Sequence, residues 1–196
     1  DPTSIDPALN MYDKANGPPY SQEFIDRYRG AQVARNHRIT QWCHEELERV
    51  QNLGMTDRSF NMYRTWADLR LMDPSIDASE RRERWCYAGD PEAANFSPRG
   101  IGLTNTLRTW LSMWSLQESH CKGAPHLTRI SEPALVIQSL ADTGVFPSDA
   151  KAIYDTLSSI DKELYMVKGD HYLQTPETAR DDVADMIVDW LARHNA

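Results

Sequence analysis

Two residue types that cooperate in proton transfer each follow an apolar segment in the last third of this chain. Residues 134–138 lead into Ser-Leu-Ala-Asp142-Thr-Gly, and residues 164–167 lead into Lys-Gly-Asp-His171-Tyr. A carboxylate bonded to an imidazole fixes its tautomer and stabilises the imidazolium that forms when the ring takes a proton. A general base requires this arrangement. Asp142 and His171 are therefore our candidate catalytic pair.

The elements predicted around this pair form one βαβ unit. The apolar run 134–138 is typical of a buried parallel strand, residues 148–158 have a helical pattern with Ile153 and Leu157 inward, and residues 164–167 form the next strand. Such units are parallel and right-handed in nearly all cases. Both strands then end at the same edge of the sheet, where ligand sites of open α/β sheets lie. We expect the two side chains to meet there.

Three amphipathic helices are predicted outside this unit. A long helix should begin after Ser21 as its N-cap and end near Gly54. A second, with Thr104 as a candidate cap, has apolar residues at helical spacing: Leu103, Leu107, Trp110, Leu111 and Trp114. The last helix should begin with Thr175 as N-cap and Pro176 in the first helical position. Its apolar stripe comprises Val183, Met186, Ile187, Trp190 and Leu191.

Each candidate residue also has a structural interpretation. Asp142 could serve only as an Asx-turn residue, and His171 could be an ordinary loop histidine. Asp149 and Asp170 are the other carboxylates close enough in sequence to orient the imidazole. We expect Asp149 to lie inside a helix start and Asp170 to point away from its neighbour His171 in an extended backbone. Asp142 is therefore the preferred acid.

The order of these elements resembles the C-terminal end of an α/β-hydrolase. Residues 133–196 are similar to its last two strands, acid loop, histidine loop and closing helix, and residues 21–118 are similar to its helical cap. Residues 1–20 are an irregular segment, and residues 119–132 a linker. The resemblance implies an α/β fold with Asp142 and His171 as triad acid and histidine. It also implies hydrolysis of a carboxylic ester, thioester, lactone or amide without a cofactor.

The nucleophile of such a triad is absent from this sequence. No Gly-x-Ser-x-Gly elbow occurs in the chain, and the family uses Ser most often but also Cys or Asp. Two parallel strands are too few for a stable sheet in water. We expect an N-terminal hydrolase portion, as a separate chain or a cleaved segment, to supply the nucleophile. The open alternatives are a non-catalytic ligand-binding or interaction module, a C–C bond hydrolase, or a cofactor-free oxidoreductive relative on the same scaffold.

Aromatic residues are frequent in the cap-like segment. Trp110 and Trp114 share one helix face and are the best candidates for lining a pocket for a small apolar or aromatic acyl substrate. Others that could contribute are Trp42, Tyr63, Trp66, Trp85 and Tyr87. The competing interpretation is that these rings pack the cap.

Composition limits the partners and the compartment. The net charge of −8 disfavours nucleic acid and anionic membrane surfaces, and no apolar run approaches the roughly 18 residues of a membrane span. Three cysteines fit no disulfide framework, so a reducing cytoplasm is expected. His120, Cys121 and His126, with Cys86 or Cys43, lack the spacing of a zinc site. We predict no metal.

Overall fold

The structure is a computed structural model that describes residues 6–63, 66–98, 100 and 102–194, and it divides into two compact units. The helical unit comprises Asp1–Asp73 and Ala88–Lys122, and the βαβα unit comprises Pro74–Tyr87 and Gly123–Ala196. Helices and small sheets together give the predicted mixed α/β class. The predicted irregular segment 1–20 lies partly outside the described residues, and a 3₁₀ turn occupies Pro7–Leu9.

The helical unit is organised by one long helix, α1, over Gln22–Asn52. Its start confirms the predicted cap, because the Ser21 hydroxyl accepts a hydrogen bond from the Phe24 N–H at 3.1 Å. Beyond its end, Gly54 adopts φ +79°, a left-handed conformation that favours glycine. The buried core of this unit contains three α1 residues together with Met62, Leu107 and Trp110; the α1 residues are Cys43, Leu47 and Val50.

The second predicted helix is wrong at its start. Residues Thr104–Thr106 form strand β2, which pairs antiparallel with β1, Ser59–Asn61. Thr106, rather than Thr104, caps the short helix α3, Leu107–Thr109, which continues as a π-helical turn over Trp110–Trp114. Two threonines in β2 fit a pleated strand well, and the pairing partner lies too far away in sequence to be inferred from local periodicity.

The remaining helices of this unit are short. Leu69–Leu71 is a 3₁₀ turn, and α2 spans Pro91–Phe96, between β1 and β2 in the chain. Asp90 is the N-cap of α2, and its carboxylate accepts hydrogen bonds from the amides of Glu92 and Ala93. Within the described residues, no helix combines the length and the apolar character needed to cross a membrane.

The βαβα unit confirms the predicted parallel pair of strands. Strand β3, Ala134–Ala141, is followed by α5, Pro147–Thr156, and by β4, Lys162–Asp170. The two strands run parallel, with Ala134 opposite Lys162 and Ala141 opposite Asp170. Their ladder has an irregularity between Ser139 and Ala141. Both strands are longer than predicted and extend to the two candidate residues.

Three features of this unit differ from the sequence analysis. A short helix, α4, occupies Ala124–Leu127 inside the predicted linker. The last helix, α6, begins only at Ala179 and ends at His194. Pro176 lies in a preceding turn, whose carbonyl accepts from the Ala179 N–H at 3.0 Å, so the predicted start at Thr175 and Pro176 is wrong. Finally, Pro74–Tyr87 belongs to this unit and not to the helical segment 21–118.

Candidate active site

The acid loop follows β3 directly and is closed by the Asp142 carboxylate. Its Oδ1 atom accepts hydrogen bonds from the backbone N–H groups of Gly144 at 2.7 Å and Val145 at 3.1 Å. This is an Asx turn, so the turn bonds that the structural interpretation of Asp142 requires are present. The side chain is buried, with 9% of its surface exposed. The turn therefore presents one carboxylate oxygen in a fixed position at the end of the strand.

The histidine loop follows β4 and is closed by Asp170. The Asp170 carboxylate accepts from the amides of Tyr172 and Gln174, both at 2.9 Å. These hydrogen bonds lower the pKa of Asp170, with that from Gln174 contributing most. The guanidinium of Arg180, at the start of α6, donates to the Tyr172 carbonyl. The loop is thus held on both sides of His171.

The two loops bring Asp142 and His171 together. Nδ1 of His171 lies 2.9 Å from Oδ1 of Asp142. Because this oxygen already accepts from two backbone amides, the hydrogen of the third bond belongs to Nδ1, and the neutral imidazole keeps its lone pair at Nε2. Within the described part of the chain, Nε2 has no hydrogen-bond partner. The His171 side chain is 29% exposed. An imidazole with an oriented Nδ1–H and an acceptor at Nε2 has the arrangement that a general base requires.

Both alternative acids have other partners. Asp149 lies in the first turn of α5, where its carboxylate accepts from the Phe146 N–H at 3.1 Å. Asp170 binds the amides of its own loop. The carboxylate bonded to the imidazole is that of Asp142, the acid preferred from the sequence.

A tyrosine from a distant part of the chain completes the surroundings of the imidazole. The ring of Tyr87 is stacked on His171, with centroids 4.8 Å apart and planes inclined by 12°. Tyr172 contacts the imidazole edge-on, with centroids also 4.8 Å apart. Burial raises the pKa of Tyr87, and its neighbours Tyr172 and Cys86 raise it further. The sequence alone places Tyr87 only among the cap aromatics, because no spacing rule connects it with the histidine loop.

Gly144 has no side chain, which leaves space for the stacked rings of Tyr87 and His171. A Cβ atom there would lie 2.9 Å from Cε1 of His171 and 2.9 Å from Cδ1 of Tyr87. Both distances are well below ordinary carbon–carbon contact, about 3.5–4.0 Å. Glycine at this position therefore allows the acid loop to approach both rings.

The two tryptophans proposed for substrate binding lie in the helical unit. Trp110 has 1% of its surface exposed and belongs to the buried core, where its indole N–H points to the Thr40 hydroxyl at 3.4 Å. Trp114 is partly buried and packs against the same core. This burial favours the packing interpretation for Trp110, and a substrate-binding role for either ring stays a prediction.

Among the described residues, no group of three or more His, Cys, Asp or Glu side chains could hold a metal ion. Cys43, Cys86 and Cys121 are not joined in disulfides; Cys43 and Cys86 are buried, and Cys121 is exposed.

Neither models of protein families, nor curated proteins, nor solved structures match this chain. The interpretation of the site therefore rests on its own geometry.

Proposed function

We propose that this chain supplies the acid and the histidine of a hydrolytic triad of the α/β-hydrolase type. The observation that carries the proposal is the 2.9 Å contact between Nδ1 of His171 and Oδ1 of Asp142 at the carboxyl ends of two parallel strands. The substrate would be a carboxylic ester, thioester, lactone or amide, and no cofactor is required. The nucleophile would come from another polypeptide segment.

The proposed chemistry uses the two ends of one imidazole. Nε2 of His171 removes the proton of the nucleophile as it attacks the carbonyl carbon, and it later returns that proton to the leaving group. Asp142 holds Nδ1–H and stabilises the imidazolium that exists between these steps. The two amides on Oδ1 keep the carboxylate from turning away while the charge develops.

The apolar surface of the βαβα unit supports the need for a completing segment. Of the stripe predicted for the last helix, Val183 is buried, whereas Ile187 and Leu191 remain exposed. Ile153 of α5 was expected to face inward, yet 41% of its surface is exposed. Parallel sheets normally have both faces covered, and two strands alone are marginal. A further segment carrying the nucleophile would cover such surface.

The test is turnover by the complete assembly, purified from its source through a tag on this chain. Acyl esters of varied length, thioesters, lactones and amides form the substrate panel. Asp142→Asn should lower kcat on the order of 10⁴-fold, the loss seen when a triad acid becomes an amide, and His171→Ala should abolish turnover. Asp149→Asn is the matched control, because its amide oxygen can still accept from the Phe146 N–H, and it should retain activity.

The outcomes separate the alternatives. Full activity in either the Asp142 or the His171 variant would remove the assignment. A partner segment with Gly or Ala in place of the nucleophile, together with no turnover of any substrate, would favour a non-catalytic binding module instead.

A further inference from the structure

In the segment Pro74–Tyr87, which we call the strap, the buried side chain of Arg81 forms hydrogen bonds with the backbone of the same segment. Arg81 is only 4% exposed, and its guanidinium donates to the carbonyl oxygens of Ile76, at 2.6 Å, and Asp77. The same guanidinium lies 5.1 Å from the centroid of the Phe146 ring, within the range of a cation–π contact. The strap is therefore packed against the residue that immediately follows the acid loop.

The strap is also bonded to both sides of the acid loop. The Glu80 N–H donates to the Leu140 carbonyl at 2.9 Å, just before Asp142. The Asp77 carboxylate accepts from the Ser148 N–H at 3.2 Å and from the Ser148 hydroxyl at 2.6 Å, just beyond the loop. These hydrogen bonds lie on both sides of Asp142 in the sequence, so they attach the strap to the acid loop at both of its ends. The last residue of this strap is Tyr87.

The strap ends where the Tyr87 ring covers a face of the imidazole. Near-parallel rings with centroids 4.8 Å apart are within the range of favourable aromatic stacking. The electron-rich tyrosine face also attracts the positive charge that an imidazole acquires on taking a proton. With Tyr172 edge-on and Gly144 against the ring, the imidazole has little room to rotate about χ2.

We propose that Tyr87 is a positioning residue, which holds the His171 imidazole in the orientation in which Nδ1–H donates to Asp142 and Nε2 stays free. The catalytic meaning of this orientation rests on the proposed function, but the orientation itself does not. An imidazole that rotates by half a turn about χ2 replaces Nδ1 with a carbon atom and loses the bond to the carboxylate. The stacked ring opposes that rotation.

The first test uses nitrogen-15 NMR of the histidine rings in the full chain at about pH 8, above the ordinary titration range of imidazole. His171→Gln assigns the signals among the six histidines. Wild type and Tyr87→Phe should both show His171 predominantly with hydrogen on Nδ1. Tyr87→Leu should shift the ring toward a mixture of tautomers. Tyr154→Leu, a tyrosine of α5 in the same unit, is the matched control and should leave the His171 signals unchanged.

A measurement on the wild type keeps the proposal testable if Tyr87→Leu does not fold. The Cε1–H resonance of His171 should be displaced by the ring current of Tyr87 and should show cross-relaxation with the Tyr87 ring protons. An ordinary resonance without cross-relaxation, or an unchanged tautomer in folded Tyr87→Leu, refutes the positioning role.

Turnover by the complete assembly separates this proposal from the proposed function. Tyr87→Phe should retain kcat, whereas Tyr87→Leu should lower kcat about three- to tenfold with KM unchanged, the factor expected for one lost aromatic stack. If His171→Ala retains full turnover, the hydrolase function fails while the tautomer result stands. If Tyr87→Leu alters KM and leaves kcat unchanged, the positioning role fails while the triad stands.

Discussion

Gly144→Ala adds one methyl group at the point where the acid loop meets the two stacked rings. Gly144 is not among the glycines with positive φ, so its backbone conformation does not oppose an alanine. The new Cβ would stand 2.9 Å from Cε1 of His171, 3.0 Å from its Nδ1 and 2.9 Å from Cδ1 of Tyr87. Relieving these contacts to about 3.5 Å requires movements of about 0.6 Å. The perturbation is therefore steric and is directed at the imidazole.

Two opposing effects determine the size of the change in stability. Overpacking by a methylene-sized group costs about 1–3 kcal/mol, and replacing glycine by alanine in a compatible conformation gains about 0.4–1 kcal/mol through the unfolded state. We expect a net loss of about 1–2 kcal/mol. The relaxation should also move the His171 ring relative to Asp142, because two of the three closest contacts fall on the imidazole. The 2.9 Å hydrogen bond between these residues should therefore lengthen or break.

Urea unfolding measures the loss of stability. It is followed through the backbone amides of β3 and β4, so that the helical unit does not contribute. The NMR signal of the hydrogen-bonded Nδ1–H of His171 reports whether the bond to Asp142 persists. Gly123→Ala is the matched control: its φ of −68° and ψ of −41° suit alanine, and its added Cβ would meet only Leu127 at an ordinary 3.6 Å. The control should leave stability unchanged or raise it slightly. A Gly144→Ala protein that is as stable as wild type and keeps the Nδ1–H signal would falsify the close packing of loop and rings.

Two further predictions concern groups outside the site. Burial raises the pKa of Cys43 to about 12, whereas Cys121 is exposed. A thiol reagent at neutral pH should therefore modify one cysteine quickly, and Cys121→Ser should abolish this fast reaction. A second cysteine that reacts quickly would contradict this. The hydrogen bond to the Trp190 carbonyl raises the pKa of His194 above 6.5, and the Asp161 carboxylate raises it further. The contribution of His194 to stability is complete below pH 6.5 and is lost as pH rises through its raised pKa. His194→Gln should therefore flatten the pH dependence of the free energy of unfolding of the βαβα unit in urea above pH 6.5. An unchanged pH dependence would contradict this.

Local patterns were sufficient to predict the elements around the site. The apolar runs before Asp142 and His171 form parallel strands β3 and β4, and Ser21 caps α1 as expected. Such features depend on residues close together in the chain: alternation, helical spacing and a side chain that bonds a nearby amide. The start of α6 at Ala179 was missed, because the turn at Pro176 competes locally with the helical pattern.

Elements that depend on distant partners were not predictable in the same way. Thr104–Thr106 has a helix-compatible pattern but forms a strand because Ser59–Asn61 pairs with it. Trp110 fits a pocket wall as well as a core position on helical spacing alone, and only its packing with Cys43 and Leu47 shows that it is buried. In both cases the deciding contact joins segments far apart in sequence.

By itself, the sequence determined that an acid and a histidine follow two strands joined by a helix, because periodicity and the geometry of βαβ connections are local. Only the tertiary structure decided that Nδ1 of His171 lies 2.9 Å from Asp142 and that Tyr87 stacks on the ring. Hydrogen bonds and stacking act over a few ångströms. Whether they form depends on how the strap and the loops pack, and no spacing along the chain encodes that packing.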